Sequence, residues 1–150
     1  MATTDDLPPR LRPATIDDAS DIAGLASELG YQVTGAHVGA YLAGVIPAVE
    51  AVFLACDHQR TLGWVHIKRH ESIIAPAYAG IEGLVVGAAY RRRGIGTALL
   101  RRAEEWAGGR GLGLVRLRSS SARVEAHAFY PSLGYRRTKQ QQVYGKVLDV

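Results

Sequence analysis

The 150-residue chain has a single cysteine and little lysine. One cysteine excludes an intrachain disulfide framework; Cys56 follows the apolar run 51–55, where it reads as a buried strand thiol, and a reducing compartment fits. No apolar run approaches the roughly 18 residues that a membrane span needs. The opening MATTDDLPPR puts acids where a secretory signal would need a basic region and an apolar stretch, so the reading is a cytoplasmic protein with no membrane partner. His66 and His70 have no acid or cysteine at ligand spacing, and no metal is expected. The phosphate signatures of nucleotide binders are missing too. The dinucleotide fingerprint needs a third small residue where this chain has Leu99, and the Walker glycine-lysine pair never occurs at the right spacing. With no linker, repeat or low-complexity tract, residues 1–150 read as one domain. Arginine outnumbers lysine and alanine is common, which suggests a GC-rich bacterial source without bearing on mechanism.

What the chain does have is enough apolar material, 47%, to fill one core. Its net charge of +4 is unevenly placed: residues 1–57 set Arg10 and Arg12 against eight acids, so the positive charge lies in the remainder. That asymmetry suggests an anionic ligand on the second half. No zinc spacing, aromatic RNA-binding signature or obvious helix-turn-helix accompanies it, so a small phosphorylated ligand is preferred and no nucleic acid is expected.

Periodicity gives the elements. Residues 10–15, with Pro13, read as an edge strand. Helices follow at 19–29, after Asp17 or Asp18 as cap, and at about 37–45. Residues 51–56 and 61–68 form a hairpin, and 79–86 a further strand. A helix over 95–107 then turns Ile95, Ala98, Leu99, Ala103 and Trp106 inward. The glycine-rich stretch 108–111 stops it, and 112–119 (strand), 124–133 (helix) and 143–148 (strand) complete a β-α-α-β-β-β-α-β-α-β order. This is a mixed α/β unit.

Chemistry concentrates at YRRRGIGTALL, residues 90–100. A helix start exposes unpaired N–H groups and the positive end of the macrodipole, and Gly94 and Gly96 let the backbone wrap an anion there. Arg91, Arg92 and Arg93 add charge, although a solvated basic face would carry the same residues.

Ile81 to Val86 followed by Arg91, Gly94 and Gly96 resembles the acetyl-CoA signature of the GNAT N-acetyltransferase superfamily, R/Q-x-x-G-x-G/A after a strand. Ala126 to Tyr135 resembles the family's A-x-x-x-Y-x-x-x-G-F/Y segment, and the element order agrees from end to end. The resemblance implies an α/β (α+β) GNAT fold: a mixed, mostly antiparallel sheet splayed between its fourth and fifth strands and flanked by about four helices. It implies acetyl-CoA as co-substrate, with Leu84, Val85 and Val86 against the pantetheine arm and the backbone of Arg91, Arg92, Arg93, Gly94, Ile95, Gly96 and Thr97 on the pyrophosphate. Ala126, Phe129 and Arg123 fall to the same cofactor, Arg123 standing where many members have asparagine. Tyr130 matches the family's general acid, and a phenol of pKa about 10 suits a departing thiolate. Glu82, in the strand where several members keep an acid, is a candidate base if burial raises its pKa, or a structural carboxylate. His127 shares the i, i+4, i+7 face of Arg123 and Tyr130 and, with Tyr31 and Gln32 of the first interhelical loop, is a candidate for touching the acceptor. The expected activity is acetyl transfer to a primary amine by direct attack, a small-molecule amine being favoured. A protein lysine or N-terminal acetyltransferase and a non-catalytic acetyl-CoA-binding module are the alternatives, and the terminal strands could pair across a homodimer.

Overall fold

The computed structural model describes residues 8–58, 60–119 and 124–150. It divides into two units, Met1–Arg118 and Ser119–Val150.

The first unit is built on a five-stranded sheet in the order β1 (Arg10–Pro13), β2 (Glu50–Asp57), β3 (Arg60–Ser72), β4 (Ala75–Val86) and β5 (Val115–Leu117). The first four strands are antiparallel neighbours, whereas β5 joins β4 in parallel. Pro13 lies on the edge strand, where its missing N–H costs no ladder bond. Three helices belong to this unit: α1 (Ala19–Glu28), α2 (Gly35–Ala43) and α3 (Ile95–Gly109).

Alternation along the strands separates two apolar faces. One carries Phe53, Ala55, Leu62, Val65, Ile67 and Ala79, covered by Ile95, Leu99, Ala103 and Trp106 of α3. The other carries Val52, Leu54, Cys56 and Trp64 against Ile22 of α1 and Val38 and Leu42 of α2. The Trp64 indole N–H donates to the Ile22 carbonyl at 3.2 Å, satisfying a polar group that the packing would otherwise strand. Thr34 accepts the His37 N–H at 3.0 Å and caps α2. Asp18 stands before α1 but turns back to accept two hydrogen bonds from Arg12, both 2.8 Å, and one from the Thr15 N–H.

The second unit holds α4 (Val124–Ser132), which Pro131 and then Gly134, at φ +91°, bring to an end. The strand expected over 143–148 does not form: that segment has no regular structure, and Val143, Tyr144 and Val147 are exposed. Alternating β-formers become a strand only beside an edge that bonds their backbone, and none does so here. Of the two terminal strands proposed for dimer pairing, β1 alone is formed among the described residues. The strand expected over 112–119 is confined to Val115–Leu117, the three residues in ladder with Ala79, Gly80 and Ile81 of β4. Among the described residues no helix is long and apolar enough to cross a membrane.

Candidate active site

β4 is bonded to β3 over most of its length, but to β5 only at Ala79, Gly80 and Ile81. The break has a local cause. His66 pairs with Gly83 and Ile67 with Ile81, leaving Glu82 as the extra residue of a β-bulge. A bulge bends its strand and interrupts pairing, so the splay and the placing of Glu82 have one origin.

Past the bulge, ladder parity decides which backbone groups are open. The Gly87 N–H donates to the Leu62 carbonyl at 2.9 Å, so Gly87, Val85 and Gly83 turn their polar groups toward β3. Leu84 and Val86 therefore direct theirs to the opposite edge, where no strand is bonded among the described residues. Val85 has a buried side chain and spends its backbone groups on β3.

The open edge leads through a 3-10 turn, Ala88–Tyr90, into α3. Glu28, at the end of α1, accepts the Ala88 N–H at 2.9 Å and ties this turn down from 60 residues away. Arg92 is held at φ +66° and Gly94 at φ +74°, left-handed turns of the kind that gather N–H groups around an anion. In a non-glycine residue such a turn costs about 1 to 2 kcal/mol. The first α3 N–H with a helical partner is that of Ala98, bonded to the Gly94 carbonyl at 3.0 Å. No side chain caps the helix, and no acid lies in its first turn. The N–H groups of Ile95, Gly96 and Thr97 thus face the turn without a helical acceptor. Arg91 and Arg92 are exposed, whereas Arg93 reaches Asp57 at 4.0 Å. Asp57, whose carboxyl is held below its ordinary value chiefly by a 2.6 Å hydrogen bond from Arg60, anchors this end of the loop.

An uncapped helix start fed by a splayed strand has the geometry that suits an anion, with a peptide-like edge beside it. The sequence profile of the acetyltransferase (GNAT) family matches residues 31–135, which span both features. The chain belongs to this family. A putative acetyltransferase from Agrobacterium tumefaciens is 26% identical, with 91% of this chain and 99% of that one covered at a TM-score of 0.78. An acetyltransferase from Trypanosoma brucei is 25% identical over 92% and 99% at 0.76. The aminoglycoside antibiotic 6'-N-acetyltransferase AAC(6')-Ih from Acinetobacter baumannii, at 22% identity over 94% and 99% and a TM-score of 0.80, shares the fold. No curated protein sequence matches significantly.

On this GNAT sheet, the face turned away from α3 carries a row of polar side chains in which Glu50 and Tyr41 join Glu82, His66 and His70, and sequence reasoning gave the first two no role. Glu50 is buried; its Oε1 accepts the Tyr41 hydroxyl at 2.6 Å and is 2.7 Å from His66 Nε2. Burial acts to raise the Glu50 pKa, but the hydrogen bonds from Tyr41 and His66 outweigh it and hold the carboxyl below its ordinary value. Burial and the bond to Glu50 push Tyr41 up to about 12. Further along, Glu82 Oε1 is hydrogen-bonded to His70 Nε2. Glu82 is exposed at 38% of its side chain, so the burial that the base reading called for is not present. Gly80 was the available signal: a glycine inside a strand marks a close approach.

The other residues singled out from sequence are on other elements. Tyr31 and Gln32 are exposed on the loop between α1 and α2. Ala126, His127, Phe129 and Tyr130 are on α4 in the second unit, where Tyr130 packs edge-on against Phe129 (5.1 Å between ring centroids) and Tyr135 (6.0 Å). His127 is exposed, and Arg123 lies outside the described residues. Among the described residues no cluster of three or more His, Cys, Asp or Glu could hold a metal.

Proposed function

We infer that this chain transfers the acetyl group of acetyl-CoA to the primary amine of a small molecule by direct attack. The observation that carries this is the continuity of the open β4 edge at Leu84 and Val86 with the uncapped α3 start at Ile95, Gly96 and Thr97. These groups fit acetyl-CoA: a strand edge bonds the amide-bearing pantetheine arm as another strand would, and convergent N–H groups with Arg91 and Arg92 suit its pyrophosphate. When bound, acetyl-CoA supplies an activated thioester carbonyl.

Each remaining task falls to a residue of the chain. The Val86 N–H, on the open edge, polarises the carbonyl oxygen and steadies the negative charge that attack places there. Glu82, although exposed, stands at the bulge beside the open edge and accepts the proton that the amine sheds, through an intervening water. By the resemblance of residues 126–135 to the family's segment, Tyr130 gives its phenolic proton to the leaving sulfur and regains one from solvent, and Ala126, Phe129 and Arg123 are assigned to the cofactor; His127, Tyr31 and Gln32 are assigned to the acceptor. Cys56 takes no part: it is buried, and burial raises its thiol pKa, which disfavours the thiolate that an acyl-enzyme would need.

A small cationic amine is favoured because the face bearing Glu82 also carries Glu50, held ionised by its hydrogen bonds. The shared fold with an enzyme acting on an aminoglycoside supports the same class. The test follows CoA thiol release from acetyl-CoA with a panel of aminoglycosides, polyamines, simple amines and lysine-bearing peptides. Turnover on small amines is expected. Turnover on peptides alone would reassign the chain to protein acetylation, and tight acetyl-CoA binding without turnover on any amine would overturn the enzymatic reading.

A further inference from the structure

The bond between His70 and Glu82 spans more of the sheet than neighbouring strand positions allow. His70 is opposite Tyr78 and Lys68 is opposite Gly80, so the two partners are not cross-strand neighbours. They meet because His70 leans along the strand over Gly80, where there is no side chain. A Cβ at position 80 would stand 2.7 Å from His70 Cδ2, 2.8 Å from its Nε2 and 3.1 Å from Glu82 Oε1. The first two distances are shorter than real Cβ contacts, so any larger residue would displace the ring from its partner. Tyr78 stacks on the ring, 5.3 Å between centroids at 20°, and the Arg116 guanidinium lies 4.7 Å over Tyr78 from β5. The imidazole is thus floored by Gly80, backed by an aromatic layer and aimed at the bulge residue beside the open β4 edge.

We propose that His70 is the positioning residue of this acetyltransferase: its Nε2–H donates to Glu82 Oε1 and leaves Oε2 as the oxygen that receives the amine's proton. This rests on the reading of Glu82 as base. The N–H bond of the amine breaks, its proton passes through water to Oε2, and the acid formed later releases it to solvent, so His70 ends the cycle as it began. Nothing else needs to move. Of the other charged and titratable groups around the pair, Tyr78 comes from β4, Arg116 from β5 and Tyr41 from α2, and the same sheet face carries Lys68 and His66 on β3 and Glu50 on β2. Among the described residues, His70 is the side chain that donates to Glu82. A fixed donor matters because an exposed carboxylate otherwise rotates freely, and misaligned proton acceptors lose rate.

The experiment compares His70→Leu, His70→Gln, Glu82→Gln and the double variant His70→Leu/Glu82→Gln, using the fastest amine of the acceptor panel. His70→Leu should lower kcat about ten-fold with KM little changed, a part of the roughly hundred-fold or more that a general base contributes. His70→Gln, whose amide N–H can stand where Nε2–H does, should recover most of that loss, which no merely structural role for the ring would produce. The double variant should be no slower than Glu82→Gln alone. In the resting enzyme, long-range proton-nitrogen NMR should show His70 as the Nε2–H tautomer, and Glu82→Gln should abolish that preference. Unchanged kcat in His70→Leu, with Glu82→Gln slowed, overturns the role of His70 and leaves Glu82 as base. Losses that multiply in the double variant overturn the coupling. An unaltered rate and pH profile in Glu82→Gln, or no turnover on any amine, removes the base reading and the positioning role with it.

Discussion

The glycine before α3 and one in its last turn should respond in opposite directions to the same added methyl group. Gly94 precedes the helix at φ +74°, and a Cβ built on it meets no atom within 4 Å, so the whole cost of Gly94→Ala is conformational. A left-handed conformation costs an L-residue about 1 to 2 kcal/mol. Gly108 lies in the last turn of α3, exposed, also with nothing within 4 Å and without a positive φ. There alanine relieves backbone entropy and gains about 0.5 to 1 kcal/mol. In a chain of this size 1 kcal/mol moves Tm by about 2–4 °C. Gly94→Ala should therefore melt about 2–8 °C below the parent and Gly108→Ala about 1–4 °C above it, read by circular dichroism with urea titrations to confirm the free energies. If Gly94→Ala escapes its strain by unwinding the turn, acetyl-CoA affinity should fall while Gly108→Ala leaves it alone. Shifts of the same sign in the two variants would refute the backbone argument.

Three further outcomes are expected. Leu99, fully buried between α3 and the sheet, should cost about 2–5 kcal/mol when cut to alanine, measured by urea unfolding, because a close-packed site collapses only in part. Asp18, lowered from its ordinary 3.8 mainly by the Arg12 hydrogen bonds and against its burial, contributes stability that is present above 3.8 and lost as pH falls through its lower folded value. Asp18→Asn should accordingly destabilise at neutral pH, with the gap from the parent closing below about pH 3.8 in acid melts. Tyr130→Phe should lower turnover while leaving acetyl-CoA affinity nearly intact by isothermal titration, and an unchanged rate would remove Tyr130 as the acid.

Local pattern carried most of the fold. The 3.6-residue period of Ile95, Leu99, Ala103 and Trp106 marked α3 and its buried face, and Pro13 marked the edge strand. The turn from Arg91 to Gly96 was legible because its chemistry is local: two glycines, basic side chains and a helix without a capping acid lie within a few residues. The same reasoning overreached at 143–148, where alternation was present but a bonding edge was not.

The sequence by itself determined which segment could wrap an anion and which strand would lead into it. Only the tertiary structure decided where Glu82 stands and what it is bonded to. Its bulge depends on the register of β4 against β3, and its partner His70 reaches it over Gly80 from another strand. Likewise, Arg93 is drawn to Asp57 and Ala88 to Glu28 across 36 and 60 residues. Periodicity fixes which face a side chain takes, because that is a property of a few consecutive bonds. Register, bulges and reach across a bare glycine arise only when separate strands are laid side by side, and that is where the acid beside the open β4 edge acquires its partner.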